Sequence, residues 1–136
     1  MQYREPIYHD RQSVRNEADF LTSSTEFVDL TGVTLTTKDL GSTGSYAIHA
    51  SVLVSGSLNN TTVSFRVTSD GAPLGDGVDL SLRNKDLDEG YTFLGTSSEV
   101  EAGKDLQIQV KTDMGTVTVR KFSLLIDGIP SIRVIQ

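Results

Sequence analysis

Residues 44–56 read GSYAIHASVLVSG. Tyr46, Ile48, Ala50, Val52 and Val54 occupy every second position, with His49 on the opposite parity. Successive strand side chains point to opposite faces, so this spacing means one buried face and one wet face. The same beat returns at Val63, Phe65 and Val67, at Val78, Leu80 and Leu82, and at Leu106, Ile108 and Val110. Clusters of Gly, Ser, Asn and Asp separate the runs. The pattern predicts an all-β sandwich or barrel with almost no helix.

Working outward, residues 26–37 read as one or two strands, with Gly32 at a bulge or bend. Residues 39–44 and 55–60 are turns, and Asn59 and Asn60 tolerate left-handed backbone. A strand over 61–69 is followed by a glycine-rich loop over 70–77 and a strand over 78–83. After a charged loop over 84–90 come strands over 91–94 and 105–111, and then a hairpin signal at Asp113 to Gly115. Along 116–126 the apolar phase changes: Val117 and Val119 share one parity, and Phe122, Leu124 and Ile126 the other. A bulge near Arg120–Lys121 reconciles them. Residues 132–135 make a last edge strand. About eight strands at this spacing suit an eight-stranded antiparallel jelly-roll sandwich.

Residues 1–22 look different. Three Arg (Arg4, Arg11, Arg15) mix with four acids (Glu5, Asp10, Glu17, Asp19), and no alternation is evident. Asp10 is placed to cap a short helix over 11–21 that would align Val14, Ala18 and Leu21. That stripe is too thin for a core. The expected organisation is a polar N-terminal arm over 1–22, disordered alone or docked on a partner, and a jelly-roll domain over 23–136. Tyr3, Ile7, Tyr8, Phe20 and Leu21 are the candidate anchors of the arm.

At 136 residues the chain suits one domain that buries its own core. It has no cysteine, so no disulfide, thiolate nucleophile or Cys-based metal site is available. Its net charge of −6 disfavours non-specific binding to nucleic acid or anionic membrane. No apolar stretch approaches the roughly 20 residues of a membrane helix. Residues 1–10 show no apolar core of a signal peptide, so synthesis in a host cytoplasm is expected.

The run GSYAIHASVLVSG, then TVSFRVTSDG, VEAGKDLQIQV and FSLLIDGIP, resembles the C1q/tumour-necrosis-factor-type jelly roll as it occurs in small tailed-phage virion proteins. The likeness rests on Gly44, Tyr46 and Ile48 in an early strand and Asp70–Gly71 in a turn. Ala102, Gly103 and Leu106 before a late strand, and the apolar cluster before Gly128, complete it. It covers about residues 25–130, leaves the arm unmatched, and lacks the collagen-like stalk of C1q proteins. The resemblance implies a homotrimer acting as a capsid decoration or cement protein on the virion surface, with the major capsid protein as partner. The alternative is a receptor- or carbohydrate-binding jelly-roll module of a tail fibre.

The residues offer little chemistry beside this. His9 lies in the arm, and His49 belongs to an outward parity with no Ser/His/Asp order or G-x-S-x-G elbow to join. Asp70, Asp76 and Asp79, or Asp86, Asp88 and Glu89, are oxygen donors a hard cation uses, but their spacing is not that of an EF-hand, so they read as solvated turns. Asp86 with Glu89 as a glycosidase pair would need a cleft that nothing in the pattern indicates. Asn59 and Asn60 match the glycosylation sequon and read as turn residues. No enzyme, catalytic residue, metal or cofactor is expected.

Overall fold

The computed structural model describes residues 3–4, 10–38, 44–97, 103–130 and 134–135. The strands are β1 (Tyr3–Arg4), β2 (Asp10–Asn16), β3 (Phe20–Thr22), β4 (Val28–Thr36), β5 (Gly44–Gly56), β6 (Thr61–Ser69), β7 (Ala72–Leu82), β8 (Glu89–Ser97), β9 (Asp105–Thr112), β10 (Val117–Pro130) and β11 (Val134–Ile135). Two antiparallel sheets face each other, one in the order β2-β10-β5-β8 and the other β4-β9-β6-β7. β3 pairs with β10 beside β2, so the two short strands fill one position along β10. Each sheet therefore alternates strands from the two halves of the chain, the arrangement of a jelly roll. Among the described residues β1 and β11 pair only with each other.

The period-two residues form the core. Tyr46, Ile48, Ala50 and Val54 of β5 meet Val63 and Phe65 of β6, with Leu106, Ile108 and Val110 of β9, and all are buried. Lys121 carries a left-handed φ of 48°, and the register of β10 against β5 shifts between Arg120 and Ser123. That bulge turns Phe122, Leu124 and Ile126 to the same side as Val117 and Val119, and all five are fully buried. Gly32 likewise has φ +85° at a register shift between β4 and β9. Asn60, at φ 58°, takes the left-handed turn position that its residue type allows.

One row ties three strands together. Gly128 of β10 stands opposite Asp10 of β2 on one side and Tyr46 of β5 on the other. The Tyr46 ring lies over the glycine, where an added Cβ would meet Cε1 at 2.5 Å. Its hydroxyl then donates to Asp10 Oδ2 at 2.5 Å. Gln12 Nε2 donates to both Asp10 oxygens, at 3.0 and 3.1 Å, and the Lys38 amide donates to Tyr46 Oη at 3.2 Å. Asp10 is 6% exposed and Tyr46 1%. Burial, then the bond to Asp10, pushes the phenol from its ordinary 10.0 to about 12.

Four expectations are corrected. Residues 11–21 form no helix, and the arm does not run to residue 22. From Asp10 onward the segment is the first strand position of the sandwich, with Val14 and Phe20 packed on the core. Asp10, Gln12, Val14 and Asn16 face inward, so the alternation exists but is written mostly in polar residues. The loop expected over 70–77 narrows to a turn at Asp70–Gly71, because β7 already pairs with β6 from Ala72. Gly77 permits this: at φ +75° its absent side chain leaves room for the Phe65 carbonyl, which a Cβ would meet at 2.4 Å. The edge strand of 132–135 contributes Val134–Ile135, which join β1 and not the sandwich. The turn expected at 39–44 lies largely outside the described residues.

The tyrosine row makes a signed prediction. An unfolded phenol ionises near 10 and the folded one near 12, so the stabilisation from this row is complete below about pH 10 and fades as pH rises to about 12. Tyr46→Phe should lose about 1–3 kcal/mol at neutral pH, because it leaves a buried carboxylate oxygen short of a donor. The gap between wild type and variant in urea melts should shrink above pH 10. A gap that stays constant to pH 12 would contradict the assignment.

Candidate functional site

The strand connections gather at two ends. At one end lie the links 22–28, 56–61, 82–89 and 112–117. Hydrogen bonds stitch them side by side. The Ser57 amide donates to the Thr116 carbonyl, Asn60 to Arg83, Asp86 to Gly56, and Thr112 to Ser24. Ser57 Oγ accepts from the Thr116 amide, and Asn59 Oδ1 from the Lys85 amide. Exposed Leu58, Leu87 and Met114 sit on three of these loops, and Leu21 of β3 lies near the same end. A Cβ on Gly115 would touch the Leu58 side chain at 3.0 Å, so the tips carrying Met114 and Leu58 adjoin. Arg120 bridges Asp19 and Asp88 across this end, at 3.3 and 2.8 Å. These exposed pairs fix geometry more than they add stability.

A second surface is the outer face of the sheet β4-β9-β6-β7. Its residues are polar and already paired with one another. Gln109 Nε2 donates to Asp29, Arg66 Nε to Gln109 Oε1, and Ser64 Oγ to Asp79, at 2.8, 2.8 and 2.6 Å. Phe27, just before β4, lies beneath two cations. The Arg66 guanidinium carbon is 4.0 Å from its ring centre, and Lys111 Nζ is 4.7 Å away. Beside them runs an open groove of about 520 Å³, lined by Thr25, Thr62, Ser64, Lys111, Thr112 and Asp113.

Of the five expected anchors, Phe20 and Leu21 lie on opposite faces of β3. Phe20 packs against the core, Leu21 points out at 60% exposure, Tyr3 lies in β1, and Ile7 and Tyr8 fall outside the described residues. His49 faces outward opposite Leu125, as its parity requires. The apolar groups on both parities of 116–126 would mark a covered subunit face if one parity pointed outward. The bulge at Lys121 buries them all within one core, so they give no such signal. The acidic loops stay apart: Asp79 holds Ser64, and Asp70 accepts the Asp105 amide at 2.8 Å and pairs with Lys104. The Asp105 amide, ahead of Lys104, holds the Asp70 carboxyl below its usual range. Among the described residues no group of three or more His, Asp and Glu is placed to hold a metal. Sequence reading missed the stitched loop end and the Phe27 platform. Leu58, Leu87 and Met114 are isolated apolar residues in turns, and only the fold brings them together.

No family model and no curated protein match the sequence. Solved structures do share its shape. Dimeric latent PorU from Porphyromonas gingivalis superposes with a TM-score of 0.64 at 10% identity, over 91% of this chain and 13% of that one. The VP2 subviral particle of infectious bursal disease virus gives 0.56 at 9% identity, over 91% of this chain and 33% of that one. The T13 particle of the same virus gives 0.56 at 9%, over 93% and 37%. The chain thus spans well under half the length of each, and identities this low establish the jelly-roll fold alone.

Since Asp70 and Asp79 are committed to protein donors, EDTA should leave the melting temperature unchanged. A fall of several degrees that calcium reverses would show that the acidic loops gather around an ion.

Proposed function

We propose that the chain is a non-enzymatic structural protein of a virus particle: a decoration or cement protein that sits on the outer capsid surface as a homotrimer, with the major capsid protein as its partner. The observation that carries this reading is the stitched loop end with exposed Leu58, Leu87 and Met114. Loops held by mutual hydrogen bonds lose little entropy on docking, so apolar tips on them are efficient contacts. Burying each such side chain contributes about 1.5–3 kcal/mol. One end alone makes a weak contact. Three ends engaged together on a symmetric surface gain avidity without any new chemistry, which is the use of a trimer. The likeness in fold to a coat protein of a virus particle supports the setting. Exposed Leu21 extends the same end, and the segment bearing Tyr3, Ile7 and Tyr8 supplies further anchors. A second reading, a receptor- or carbohydrate-binding module of a phage tail fibre, is favoured by the polar groove beside Phe27.

Light scattering should report three times the chain mass of 14.7 kDa, and purified undecorated capsids should bind the protein. Leu58→Asp with Met114→Asp should abolish capsid binding while leaving the thermal transition in place, because both side chains are exposed. A mass of one chain, or capsid affinity unaffected by the double change, would defeat the proposal.

A further inference from the structure

The groove beside Phe27 borders the loop end through Thr25, Thr112 and Asp113 and opens onto the outer face of the sheet. Its volume of about 520 Å³ suits a small ligand. Arg66 and Lys111 share the Phe27 ring and sit on the two central strands of their sheet, β6 and β9. In register, Ser64 faces Lys111 and Arg66 faces Gln109, so the two cations are diagonal neighbours. Among the described residues neither has a carboxylate partner. Two like charges over one ring and without a carboxylate partner, in a chain of net charge −6, favour an anion beside them. The ring and the Gln109 bond fix their positions beforehand, so little ordering is needed when a ligand arrives.

The rest of the lining decides what kind of anion. Thr25 and Thr62 bring hydroxyls to the groove, and Ser64 adds one already turned to Asp79. Asp113 adds a carboxylate: one oxygen accepts the Thr62 amide at 2.9 Å, and acceptor capacity remains for ligand hydroxyls. An extended peptide gains its affinity by adding to a free strand edge. β6 and β9 are paired on both sides, so no main-chain groups are on offer. A ligand here is read by side chains alone, through hydroxyl, carboxylate and cation. We infer that the groove binds an acidic saccharide, with its ring hydroxyls on Thr62 and Asp113 and its carboxylate or sulfate ester at Lys111, reaching past the lining to Arg66 over the Phe27 ring. This inference deepens the saccharide-binding reading and stands whether or not a capsid is the partner.

The test uses the full chain and no virus particle. Immobilised oligosaccharides carrying uronic or sialic acid carboxylates, others carrying sulfate esters, and the neutral parent of each are offered to the protein. One acidic set should be retained and its neutral parent released, and the winning arm identifies the anion. Added salt should weaken binding. Arg66→Gln and Lys111→Met should each weaken binding about tenfold, the loss of roughly one charged hydrogen bond. Arg66→Lys with Lys111→Arg should retain binding. Lys85→Gln, outside the groove, should bind as wild type does. Amide shifts on titration should centre on Thr62, Ser64 and Lys111, a readout that needs no variant to fold. The inference is overturned if no acidic oligosaccharide binds, if the neutral parent binds equally, if Arg66→Gln/Lys111→Met binds like wild type, or if polyglutamate binds as tightly as the sugar.

Discussion

The fold depends on a glycine that leaves room for a tyrosine. Where β10 passes between β2 and β5, Gly128 has no side chain, and the Tyr46 ring fills that space to reach Asp10 two strands away. Any larger residue would collide with the ring and break the bond beyond it. The row does two things at once. It caps the core with an aromatic face, and it satisfies a carboxylate that is almost wholly buried. A buried polar group is tolerable only when its partners are complete, and Asp10 has Tyr46 and Gln12. The first strand is thereby fastened at its beginning, while Phe20 fastens its end in the core. Residues 10–16 and 20–22 thus belong to the sandwich.

β10 is the strand on which the first sheet is assembled, since it pairs with β2, β3 and β5. A strand of 14 residues cannot keep one apolar phase and also follow the twist of its neighbours. The left-handed turn of Lys121 resets the phase halfway, so both halves point into the same core. Glycines at 32 and 77 do comparable work in the other sheet. The core is continuous because the backbone breaks step where its apolar pattern does.

This explains what could be read in the sequence. The strands with apolar alternation, and the bulges at Gly32 and Lys121, follow from parity alone. The first strand did not, because its inward residues are Asp10, Gln12, Val14 and Asn16, and only one of them is apolar. Their inward placement depends on partners 15 or more residues away in sequence, such as Tyr46 and the Thr36 and Thr31 carbonyls. No periodicity encodes such a partner. The Phe27 platform was hidden for the same reason. Phe27, Arg66 and Lys111 belong to three separate segments, and each alone looks like an ordinary surface residue.

The two surfaces meet at one hairpin. Residues 112–117 carry Met114 to the exposed end, and Thr112 and Asp113 to the groove. Asp113 is anchored through the Thr62 amide, and the Thr112 hydroxyl donates to the Met114 carbonyl at 2.8 Å. The hairpin is therefore a short hydrogen-bonded link between the two surfaces. A ligand on Asp113 would bear on the same turn that carries Met114 beside Leu58. Any coupling through it would be reciprocal by thermodynamic necessity. A partner seated on the loop end would alter affinity in the groove by the same factor as a ligand in the groove alters the seating.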